Sequence, residues 1–234
     1  METPDGRQFV WRCDNTMTDL SDFVRSNVHW VEIDLRGFFP YMKKPSCEEP
    51  GLITLDECLA VVKRHHKGVK LNLYGGGLLI GCIVEMIQEH DIDTSSLWLQ
   101  GSSLVLGENG FRLLRSLYPS AILQCPVDMF AQIVDNEPVI VKEKLLMLQS
   151  WGVNRFGVSW STPNKRRLLS CMRQWGFEAD IYDVAAIGSF LKAVLLLPNS
   201  ITARFNCSAA WSHSEKQNGR IGFPPDNSIF RRVA

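Results

Sequence analysis

Short runs of β-branched and aromatic residues alternate with amphipathic stretches along this chain, and that alternation constrains its fold more than any other feature. Eight such runs, at residues 9–12, 29–35, 69–73, 97–100, 121–124, 155–158, 178–182 and 201–205, have strand character. Seven stretches between them, at 17–26, 55–66, 78–90, 109–117, 139–151, 164–175 and 184–197, have helical spacing. Thr54 stands three residues before Glu57, a capping box that starts the second helix. Eight strands in strict alternation with helices over 234 residues predict an α/β fold of the (β/α)8 TIM-barrel type. An open doubly wound sheet also alternates, but it usually stops at about five or six strands and carries a glycine-rich turn after the first. No G-x-G-x-x-G follows Trp11-Arg12, so the barrel is the expected fold, a single domain over residues 1–207. Residues 208–234 are polar with Gly and Pro, and read as an irregular tail in place of the eighth helix.

Composition narrows the partners. Lys and Arg total 25 against 25 Asp and Glu, which removes a global electrostatic attraction to nucleic acid or to an anionic membrane. A hydrophobic fraction of 45% excludes disorder. Seven cysteines, Cys13, Cys47, Cys58, Cys82, Cys125, Cys171 and Cys207, are an odd number without a C-x-x-C pair. They read as reduced, mostly buried thiols rather than a disulfide framework or a zinc site. The least polar stretch, 71–84, is shorter than the roughly 20 residues that span a bilayer. With no signal-peptide pattern at the start, the expected location is cytoplasmic, without a transmembrane segment.

In a barrel of this type the ligand site is built at the C-terminal ends of the strands. Those ends carry Arg12; Glu32 and Asp34; Asn72 and Tyr74; Gln100; Gln124; Ser159; Tyr182 and Asp183; and Asn206. Polar strand ends also arise simply because they reach solvent. Glu32 and Asp34 are the sharpest pair, because alternate residues of a strand face the same side. Two inward carboxylates share a proton, bind a divalent cation, or pair with inward cations. Arg12 and Lys70, on the neighbouring strands, would supply those cations. None of His29, His65, His66, His90 and His213 falls at a strand C-terminus, which argues against histidine acid/base chemistry. No G-x-S-x-G, P-loop or H-E-x-x-H is present, and Gly75-Gly76-Gly77 reads as a tight turn or a phosphate cradle.

At these same residues the sequence resembles the menorin family, within the superfamily of phospholipase C-like phosphodiesterase barrels. The family's W-x-H-A-x-N is similar, in shifted form, to Trp11-Arg12-Cys13-Asp14-Asn15, and its E-A-D-V to Glu32-Ile33-Asp34-Leu35. Its P-I-M-A-H-P resembles Pro40-Tyr41-Met42-Lys43-Lys44-Pro45, and its T-L-x-x-W-L resembles Thr54-Leu55-Asp56-Glu57-Cys58-Leu59. Its K-G-I-K-L-D-F-K looks like Lys67-Gly68-Val69-Lys70-Leu71-Asn72-Leu73-Tyr74, and its P-x-W-I-N-A-D like Leu97-Trp98-Leu99-Gln100-Gly101-Ser102. The order holds from Trp11 to Gly110, and a periodic likeness continues to Phe205.

The resemblance implies a phosphodiesterase-type barrel with acid/base histidines at the first strand end and after strand two. Here those positions are Arg12 and Lys44. The family's third-strand aspartate is matched by Asn72, its following lysine by Tyr74, and its aspartate after strand four by Ser102; Glu32, Asp34 and Lys70 are kept. Proton transfer needs a group that titrates near working pH, and an arginine does not deprotonate in a protein. The expectation is therefore a catalytically degenerate barrel that binds an anionic, phosphate-bearing ligand or a protein partner at its mouth. Arg12, Asn15, Lys44, Lys70, Asn72 and Gln100 would form that site. Two alternatives stand beside it. In one, Glu32 and Asp34 hold Mg²⁺ or Ca²⁺ and, with Lys70, hydrolyse a glycerophosphodiester or lysophospholipid. In the other, the chain is purely structural and engages a partner around Trp211 and Phe223.

Overall fold

The structure, a computed structural model, describes residues 6–35 and 53–205; Lys44, Asn206 and the 208–234 tail lie outside them. Eight parallel strands close a barrel in chain order. They are β1 Gln8–Arg12, β2 Trp30–Leu35, β3 Gly68–Leu73, β4 Leu97–Gly101, β5 Ile122–Pro126, β6 Arg155–Ser159, β7 Ala179–Val184 and β8 Ser200–Ala203. β8 returns to pair with β1, from Gln8 opposite Ser200 to Trp11 opposite Ala203. The predicted (β/α)8 barrel is the observed fold.

Seven α-helices among the described residues link the strands: α1 Met17–Arg25, α2 Leu55–Arg64, α3 Leu78–Glu89, α4 Ser103–Leu117, α5 Pro138–Ser150, α6 Lys165–Gln174 and α7 Ile187–Val194. The expected capping box is present in both directions: Glu57 N donates to Thr54 Oγ1 at 3.1 Å, and Thr54 N to Glu57 Oε2 at 2.9 Å. Such a cap stabilises a helix start by about 1 kcal/mol.

Among the boundaries that differ from expectation, two have a local cause in the backbone. α4 begins at Ser103 rather than Asn109, because Gly107 (φ 60°, ψ −174°) breaks the helix and hides its first turn from the periodicity. That backbone conformation is open almost only to glycine. At the other site, β7 runs on to Val184 through a register shift between Ile181 and Val184, so α7 starts at Ile187 rather than at Val184. The shift sets Asp183 at φ 60°.

Strand alternation divides the barrel into two chemistries. Residues such as Val31, Ile33, Val69, Leu71, Leu97, Leu99, Leu123, Val158 and Ile201 belong to the main core, which includes helix residues such as Leu59, Ile83, Phe111, Leu145 and Phe190. The other set is largely polar: Arg12, Glu32, Asp34, Lys70, Asn72, Gln100, Gln124, Arg155, Asp180, Tyr182, Ser200 and Thr202. An apolar cluster of Val10, Trp30 and Trp98, with Ile122 against it, separates from the main core.

No helix among the described residues is long and apolar enough to cross a membrane. Cys13, Cys58, Cys82, Cys125 and Cys171 are free thiols, four of them buried.

Candidate functional site

Strand register lays the polar side chains in a row. Asp34 pairs with Asn72, Asn72 with Gln100, and Gln100 with Gln124 across β2 to β5. Their side chains hydrogen-bond in that same order. Asn72 Nδ2 donates to Asp34 Oδ1 at 3.0 Å, Gln100 Nε2 to Asn72 Oδ1 at 3.1 Å, and Gln124 Nε2 to Gln100 Oε1 at 2.5 Å. Gln124 Nε2 also reaches Asp180 Oδ2 at 3.2 Å. Gly157 on β6 leaves this space free: a Cβ there would lie 2.5 Å from Gln124 Nε2 and 3.2 Å from Tyr182.

Lys70 and Arg12 close the row into a ring. Lys70 Nζ lies 2.8 Å from Glu32 Oε2 and 2.9 Å from Asp180 Oδ2, donates to Thr202 Oγ1 at 3.0 Å, and sits 4.7 Å from the centre of the Trp98 ring. Lys70 and Asp180 are fully buried. Burial works against both charges, yet Asp180 and Glu32 hold the ammonium above its ordinary pKa. Asp180 is likewise held below the ordinary carboxylate value by Lys70, Ser200 and Arg155. For Glu32 burial wins, and its pKa is raised against the pull of Lys70 and Arg12.

The Arg12 guanidinium spreads over three carboxylates. Its NH2 nitrogen lies 3.0 Å from Asp34 Oδ2, Nε lies 3.6 Å from Glu32 Oε1, and NH1 meets Asp183 Oδ1. Burial would lower its pKa; Glu32, Asp34 and Asp183 more than offset that and hold it above its usual value. This arginine is permanently charged.

Above the ring, Arg12, Glu32, Asn72, Leu73, Tyr74, Gln100, Ser102, Val105, Pro126, Tyr182 and Asp183 line a cavity of about 280 Å³. One wall is braced from outside the strands: Asp128, just after β5, accepts from the Tyr182 hydroxyl, from Thr162 Oγ1 and from Ser159 N, the last at 2.7 Å. Burial first, then Asp128, pushes the Tyr182 phenol well above its ordinary pKa.

Several expected site residues are thus placed. Arg12, Glu32, Asn72 and Gln100 line the cavity together. Lys70 does not reach the mouth; at register with Glu32, one row below Asn72, it is sealed inside the barrel. Asn15 lies beside the cavity, donating from Nδ2 to the Asp34 carbonyl at 3.0 Å, and so braces the end of β2. Tyr182 and Asp183, which the sequence names as strand ends without a specific role, line the same cavity, whereas Asp180 and Asp128 are not singled out in the sequence. Two-residue alternation along β7 from Tyr182 signals Asp180, whereas the reach of Asp183 depends on the bulge and Asp128 stands in a loop with no period to follow.

Glu32 and Asp34 were candidate ligands for Mg²⁺ or Ca²⁺. Their carboxylates are engaged by Lys70 and Arg12, and among the described residues no group of three or more His, Cys, Asp or Glu is placed to hold a metal ion. The donor set as folded does not suit a divalent cation.

The barrel is similar to solved glycerophosphodiester phosphodiesterase structures. An Oleispira antarctica phosphodiesterase, in complex with the product sn-glycerol-3-phosphate, superposes with a TM-score of 0.64 at 15% identity, over 88% of this chain and 96% of that one. A glycerophosphodiester phosphodiesterase from Parabacteroides distasonis gives 0.62 at 9% identity, over 91% and 98%. A 7,8-dihydropteroate synthase from Vibrio fischeri gives 0.59 at 9%, over 93% and 94%, so these likenesses show the fold and not the reaction. No protein-family model matches the sequence, and no curated protein matches it as a relative.

Proposed function

We propose that this chain is a menorin-like, phosphodiesterase-type barrel that has lost the hydrolytic reaction and binds a small phosphate ester at its mouth. The observation that carries this reading is Arg12. It stands where the resembled family puts a proton-transferring histidine, and its guanidinium is fixed in place by Glu32, Asp34 and Asp183. It supplies charge and paired N–H donors suited to a phosphate, but no group that exchanges protons near neutral pH. Asn72, Gln100 and Tyr74 supply hydrogen bonds in the same cavity, whose 280 Å³ is near the lower end for small-molecule sites. Lys44, outside the described residues, would add a second cation. Lys70 holds the ring together from below, and Asn15 steadies β2.

Calorimetric titration with glycerol phosphate tests the reading. Saturable binding is expected, weakened about tenfold or more by Arg12→Ala and less by Arg12→Lys, which keeps the charge but not the planar fork. Affinity unchanged by both Arg12→Ala and Lys44→Ala would overturn it.

A further inference from the structure

The three carboxylates around Arg12 differ in access to water. Their side chains are 3% exposed at Glu32, 11% at Asp34 and 41% at Asp183. Glu32 and Asp34 stand on the regular part of β2, and each has another partner, Lys70 for the first and Asn72 for the second. Asp183 stands on the β7 bulge at φ 60°, a conformation that Asp tolerates better than most residues. Its second oxygen meets Ser159 Oγ at 3.4 Å, long for such a bond. Both Arg12 and Asp183 line the cavity, and Asp34 does not.

Charge adds a constraint. At Arg12 three carboxylates, Glu32, Asp34 and Asp183, meet one guanidinium, while Lys70 is shared between Glu32 and Asp180 and Arg155 also acts on Asp180. An anion entering beside an intact Arg12–Asp183 pair would meet an excess of negative charge at a few ångströms, where like charges repel.

We propose that Asp183 sets the ligand charge that the mouth accepts, occupying the cavity-side NH1 of Arg12 as an internal stand-in that a phosphate ester must displace. This deepens the phosphate-ester reading and rests on it. Displacement is mild, because a half-exposed carboxylate is already partly screened by solvent and returns to it readily. A neutral polyol needs no displacement, so Asp183 biases the mouth toward uncharged ligands until an anion competes it away.

Calorimetry on the full chain, with glycerol phosphate and with glycerol, separates the two ideas. Asp183→Asn keeps the size and tolerates the left-handed backbone; Asp183→Gly removes the carboxylate and any strain, and guards against a fold defect in the first. Both are expected to raise affinity for glycerol phosphate about tenfold and to leave glycerol unaffected. If the wild type binds glycerol phosphate through Arg12 but neither variant binds it more tightly, the stand-in role is wrong and the phosphate reading survives. If neither the wild type nor either variant binds glycerol phosphate, both ideas fall.

Discussion

Lys70 and Arg12 are both cations inside one barrel, both paired with carboxylates and both near Glu32, yet they do different work. Every charged partner of Lys70 is sealed: Asp180 is 0% exposed and Glu32 3%. The partners of Arg12 grade outward from Glu32 to the half-exposed Asp183. A sealed pair cannot exchange its partner for a ligand, because neither charge can be left bare in the interior. A graded set can, since its outermost member can be solvated. Position along the strand, not charge type, separates a sealed cation from one that lines the cavity.

The largest expected effect lies at the sealed end. Lys70→Met removes the cation and leaves Glu32 and Asp180 buried beside one another, which is expected to cost about 3–5 kcal/mol of folding stability in urea denaturation. Arg12→Met should cost clearly less, because Asp183 can turn to water while Asp34 retains Asn72 and Tyr74. Equal losses from the two substitutions would break the distinction between a sealed and an exchangeable cation.

A smaller effect is expected at the cavity wall. Tyr182→Phe removes the hydroxyl that Asp128 accepts, at a cost of about 1 kcal/mol near neutral pH. The folded phenol has a pKa raised above the ordinary value of 10.0. Below about pH 10 both folded and unfolded chains hold that proton, and the contribution is complete. As pH rises further the unfolded chain releases it first, so stability falls toward the raised folded value. The difference between wild-type and Tyr182→Phe unfolding free energies should therefore shrink above pH 10; a constant difference would contradict a phenol held protonated by burial and Asp128.

These contrasts also mark what the sequence makes legible. Alternation alone places Arg12, Glu32, Asn72 and Gln100 on the inner face near the strand ends, and the barrel and its seven linking helices follow from the same pattern. Depth is harder to read. Glu32 and Lys70 share a register row while Asn72 stands one row higher, and that relation depends on how β2 and β3 stagger, which no single strand discloses. Asp183 is legible as a strand end, but its reach to Arg12 needs a bulge and a positive φ that nothing in Tyr182-Asp183-Val184 announces. Asp128 acts from a loop, where side-chain direction has no period to follow.

Binding without turnover at the Arg12 mouth is the central claim, and phosphorus NMR of the full chain incubated with a glycerophosphodiester tests it most directly. A saturable perturbation of the diester resonance that Arg12→Ala weakens is expected, with no phosphate-monoester signal growing over time in the presence or absence of Mg²⁺ or Ca²⁺. A monoester signal that accumulates with the wild type and disappears with Glu32→Gln would contradict it.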